Sequence, residues 1–142
     1  MRSNIETTKV QTGLRILLGV MLAFAGTSHL TFARAEFLAQ VPDWVPIDQD
    51  LTVLLSGIVE ILLGACLIFM GRYKVYVGII VALFFIAVFP GNIHQYTDHV
   101  SGFGLDTDTK RLVRLFFQPV LVAWALWACG VFRAWSTSHV KA

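Results

Sequence analysis

The chain has 142 residues, 56% of them hydrophobic and only 14% charged, with a net charge of +2 and a mean hydropathy of +0.70. A water-soluble domain of this size carries more charge, and a nucleic-acid-binding one gathers its basic residues into a patch, so both classes are set aside. One compact, all-α membrane domain is the economical reading.

Residues Met1–Thr12 form a polar lead with Arg2 and Lys9. The first helix is expected at about 14–32, opened by Arg15 and closed by His29. Ala23-Phe24-Ala25 resembles a signal-peptide cleavage site, but cleavage there would cost the bundle the edge that carries His29, so the segment is read as a span. Thr31–Asp50 is a loop containing VPDWVP. Its Phe32, Phe37 and Trp44 suit a membrane interface, and a short interfacial helix is expected over about Ala33–Gln40.

The second span is expected over Leu51–Met70, where Glu60 is the sole charge. At ~1.5 Å per residue it covers ~30 Å, the thickness of a hydrocarbon core. A carboxylate facing lipid there costs at least ~2.5 kcal/mol, so Glu60 must face protein, be paired, or hold a proton. Val53, Ser56, Gly57, Glu60, Gly64 and Leu67 share its face, a polar and small surface of the kind found where membrane helices touch.

After a basic turn, Gly71–Lys74, the apolar run Val75–Phe89 is short for a span. Freed carbonyls of a kinked membrane helix can be satisfied by neighbours, so the third helix is extended past Pro90 to about 75–96. This brings Asn92 and His94 to its end. A polar loop, Thr97–Thr109, leads to the fourth helix at about 111–132, which carries Arg114, Gln118 and Pro119. Ser136–Ala142 reads as a polar tail.

With the N-terminus inside, the inner side holds seven basic residues (Arg2, Lys9, Arg15, Arg72, Lys74, Arg133 and Lys141). The outer side holds four: Arg34, Lys110, Arg111 and Arg114. The asymmetry predicts both termini in the cytoplasm, with Asp43 and Asp106 outside.

That topology sets His29, Ser56, Glu60, Asn92, His94, Arg114 and Gln118 at a common depth, forming the candidate ligand-binding interior. Glu60 is expected to pair with Arg114, directly or through a water or ligand, because a buried carboxylate needs a cation or a proton and arginine keeps its charge. For each residue a purely structural role stands beside the functional one. The Glu60–Arg114 pair would lock two helices, His29 would bond a loop, Asn92 and His94 would cap the kinked helix, and Gln118 would satisfy a carbonyl freed by Pro119. No metal site is expected, since His29, His94, His99 and Glu60 show no ligand spacing. Cys66 and Cys129 match no zinc or redox pattern and are expected to stay unbridged.

The ordered segments GTSHLTF, VPDWVP, SGIVEILLG, FPGNIHQY and RLFFQPVLVAWAL resemble the DoxX and DoxX-like family, over roughly Leu14–Trp127. The resemblance implies a four-helix bundle in the bacterial inner membrane. It also brings His29, Glu60, Asn92, Arg114 and Gln118 forward as the polar motif positions. Some relatives serve quinone-linked or thiol-redox systems; the absence of a paired-cysteine motif here argues against direct thiol chemistry.

Three functions follow as expectations. The first is the membrane subunit of a redox system with a quinone or other small-molecule pocket and a redox partner protein. The second is a non-catalytic binding or assembly protein. The third is a small proton-coupled transporter, which with four spans would need to form a homo-oligomer. Lipid is a partner in all three, and nucleic acid in none.

Overall fold

The computed structural model describes residues 5–31, 38, 41–42, 44–98 and 107–140. The interfacial helix expected over 33–40, the outward positions Asp43 and Asp106, and His99 lie outside the described residues, apart from Leu38. Helix is the regular structure of the described residues, with no strand among them.

Helix α1, Lys9–Leu30, begins within the polar lead. Thr8 Oγ1 accepts from Gln11 N at 3.1 Å, and Gln11 Oε1 accepts from Thr8 N at 2.9 Å. This capping box satisfies two otherwise orphaned donors and starts the helix ahead of its apolar stretch. Helix α2, Gln49–Phe69, is opened by Asp48, whose Oδ2 accepts from Leu51 N. At its far end Arg15 Nη1 donates to Leu67 O, a last-turn carbonyl that has no partner within the helix.

α1 and α2 run antiparallel and touch through glycine. A Cβ on Gly19 would lie 2.8 Å from Gly64 O, and one on Gly26 would lie 2.5 Å from Gly57 O. Only hydrogen fits at those crossings, so the two pairs fix the register between the helices.

A 3₁₀ turn, Gly71–Tyr73, leads into α3, Lys74–Ala87, and α4, Phe89–Thr97, follows after Val88. Pro90 has no N–H and cannot continue the ladder of α3, hence the break. Helix α5 spans Asp108–Ala128 and contains Pro119. Gly130 then turns with φ 73°, and α6, Val131–Val140, takes a new direction. The segment expected to be a polar tail is therefore helical up to Val140. Gly130 ends the preceding helix in the left-handed conformation that glycine adopts without strain.

Among the described residues, four helical stretches are long and apolar enough to cross a membrane: Lys9–Leu30, Gln49–Phe69, Gly71–His94 and Asp108–Ala128. Their outward residues, among them Phe24, Leu62, Leu83 and Phe116, are exposed and apolar, a surface that suits lipid contact. α1 packs most extensively on α2, while α3 and α4 pack on α5. The two groups meet around Leu18, Leu22, Leu67, Val81, Phe85 and Leu121.

Candidate functional site

A cavity of about 570 Å³ lies where the two groups of helices meet. α1 supplies Leu18, Leu22 and His29; α2 supplies Val53, Ser56 and Glu60. Phe85, Pro90 and Asn92 come from α3 and α4, and Arg114, Phe117, Gln118 and Leu121 from α5. The volume is that of a small-molecule site.

The first polar wall is His29 with Glu60. The glycine contacts place Glu60 level with Ala23, so it sits about six residues, ~9 Å, along the axis from His29. Helical side chains lean toward their own N-terminus, and in antiparallel helices these two lean toward each other. His29 Nε2 ends 3.3 Å from Glu60 Oε2. On the ring's other side, Nδ1 stands 3.0 Å from Ser56 Oγ, which gives its own proton to Val53 O at 2.9 Å. Ser56 Oγ is thus the acceptor and Nδ1 carries a hydrogen. A neutral ring then turns the lone pair of Nε2 toward the Glu60 carboxyl, and the approach is attractive only with a proton between them.

The second wall is centred on Gln118, which is 2% exposed. Its Nε2 donates to Phe85 O at 2.7 Å, in the turn just before α3 breaks. Its Oε1 accepts from Arg114 Nη1 at 3.0 Å and from Asn92 Nδ2 at 3.4 Å. Gln118 therefore satisfies a carbonyl of a neighbouring helix rather than one freed by Pro119 in its own. The Arg114 guanidinium also lies over the Phe117 ring, 5.9 Å from its centroid.

Six of the seven expected residues line this one cavity: His29, Ser56, Glu60, Asn92, Arg114 and Gln118. His94 does not. Its Nδ1 lies 2.9 Å from Asp98 Oδ2, one turn on along α4, because a residue two positions from Asn92 on a helix points to a different side. The expected direct Glu60–Arg114 ion pair is also absent. Both side chains line the cavity, but Glu60 meets His29 and Arg114 is held by Gln118.

Sequence reasoning missed two features. Val41, Pro42, Trp44 and Val45 form part of the cavity wall, although VPDWVP reads as an interfacial loop; its two prolines were the available signal of a stiff segment. Arg15 is 7% exposed and bonded to α2, although it reads as the flank of a span. Among the described residues no three His, Cys, Asp or Glu side chains group as a metal site, and Cys66 and Cys129 are free thiols.

The family model that matches this chain is Domain of unknown function (DUF8561), over residues 18–129. The chain belongs to the DUF8561 family. The matched DUF8561 stretch begins at Leu18 and ends beyond Leu121, so it contains every residue that lines the cavity. No curated protein and no solved structure matches the chain.

Proposed function

We propose that the chain is a four-helix bundle of the bacterial inner membrane, DoxX-like, with both termini cytoplasmic. In this reading it binds an amphiphilic small molecule of the quinone class as the membrane subunit of a redox system. The supporting observation is the cavity itself, with apolar surfaces from Leu18, Leu22, Phe85 and Leu121 and two polar walls facing one another near its loop end. An amphiphile with a flat polar head and an apolar tail matches that division.

The residues present fit such a head group. Arg114 offers guanidinium donors to a head-group oxygen, Phe117 and Phe85 offer ring faces, and the His29–Glu60 pair sits where a proton can be held. A bound quinone would supply two-electron, two-proton redox chemistry. The chain's own residues bind and orient the head, exclude water and hold the proton between Nε2 and Oε2.

Solvent extraction of purified protein, followed by an absorbance scan, tests this reading. So does titration with decylubiquinone, read by quenching of Trp44 against a Trp44→Phe control. A co-purified quinone or saturable quenching that weakens in Arg114→Met is expected. No quinone in the extract together with no saturable quenching would overturn it.

A further inference from the structure

We propose that the head group this cavity takes carries a hydroxyl, so that the site prefers a quinol to the corresponding quinone; this rests on the reading of the cavity as a quinone-class site. The orientation of the amides is fixed from one end. Phe85 O is a pure acceptor, so Gln118 must turn Nε2 toward it and Oε1 away. Oε1 takes hydrogens from Arg114 and Asn92. Asn92 thereby spends a donor on Gln118, and its Oδ1, in a residue only 4% exposed, is left without a hydrogen-bond partner.

The opposite wall also offers an acceptor. The Glu60 carboxyl lines the cavity, turns Oε2 toward His29 and does not reach Arg114, so its remaining oxygen is an acceptor facing the same space. Between the walls there are guanidinium donors from Arg114, an amide oxygen from Asn92 beside them, and carboxyl oxygens from Glu60 across the cavity. A group seated there must accept a hydrogen from Arg114 and give one to Glu60 or Asn92. A carbonyl only accepts, and an ammonium only donates and is repelled by the guanidinium. A carboxylate only accepts and has no hydrogen to give to Glu60 or Asn92. A hydroxyl does both.

The test uses the intact protein in nanodiscs under anaerobic conditions. Decylubiquinol, decylubiquinone and the quinol dimethyl ether, which keeps the aromatic ring but has no donor, are titrated in parallel. The quinol should bind at least about tenfold tighter than either of the others, the worth of one buried hydrogen bond. In Glu60→Met that ratio should narrow toward one, and because it compares ligands on the same protein it is insensitive to lost stability. Quinone or dimethyl ether binding as tightly as quinol would overturn the hydroxyl requirement while leaving the quinone-class site standing. An unchanged ratio in Glu60→Met would overturn the role given to Glu60. Binding of none of the three would overturn both the requirement and the site.

Discussion

His29 and Glu60 meet at 3.3 Å although they stand at different heights on their helices. Their meeting depends on two features that have nothing to do with charge. The Gly19–Gly64 and Gly26–Gly57 contacts set the register, and the tilt of helical side chains toward the N-terminus carries each across the remaining distance. The pair is therefore a product of packing, and its disruption should be felt in packing as well as in binding.

A double-mutant cycle should find this coupling. His29→Ala and Glu60→Ala should be non-additive by roughly 0.5–3 kcal/mol, the range for residues in direct contact. The cycle of Glu60→Ala with Arg114→Ala should give a smaller coupling, since those charges face each other without touching. Chemical denaturation in detergent measures both, and equal couplings would reverse the pairing described above.

Gln118→Leu should be among the most damaging single substitutions in the cavity. It removes the donor to Phe85 O and the acceptor of both Arg114 and Asn92, and each buried group left unsatisfied costs roughly 1–3 kcal/mol. His94→Ala is the control. Its partner Asp98 is half exposed, and such a pair contributes only ~0–1 kcal/mol. Melting temperatures of the two variants should differ clearly, with His94→Ala close to wild type.

Gly57→Val should displace His29 without touching any polar atom. A Cβ at Gly57 would fall 2.7 Å from His29 Cβ and 2.9 Å from Gly26 O, so the helices must separate. Overpacking of this kind costs roughly 1–3 kcal/mol. The variant should lose both thermal stability and ligand-induced quenching of Trp44. Gly13→Ala, with nothing within 4 Å of its Cβ, should lose neither.

Membrane orientation is checked with single cysteines in a Cys66→Ala, Cys129→Ala background. A Cys at Thr97, at the end of α4, should react with an impermeant thiol reagent added outside intact cells. A Cys at Arg72, in the turn between α2 and α3, should react only after permeabilisation. The reverse pattern would place the termini outside.

Much of the architecture is local and was legible in the residues alone. Apolar length marks the four stretches able to cross a membrane, because a hydrocarbon core demands ~20 apolar residues per helix. The 100° period put Val53, Ser56, Gly57, Glu60, Gly64 and Leu67 on one face, and all but the half-buried Ser56 are buried. The same local rules ran out at the helix ends. The capping box at Thr8 and the turn at Gly130 moved boundaries that hydropathy alone had put elsewhere.

Who meets whom across the cavity was decided only by tertiary structure. Charge alone pairs Glu60 with Arg114, the deepest cation on the fourth span. The glycine register instead brings His29 to Glu60. The break at Val88 instead brings the Phe85 carbonyl and Asn92 to Gln118, and Gln118 then holds Arg114. Periodicity fixes which face of a helix a residue occupies, but not how far one helix slides along another. That slide is set by close contacts between residues distant in the chain, and a shift of one turn would exchange every partner in the site.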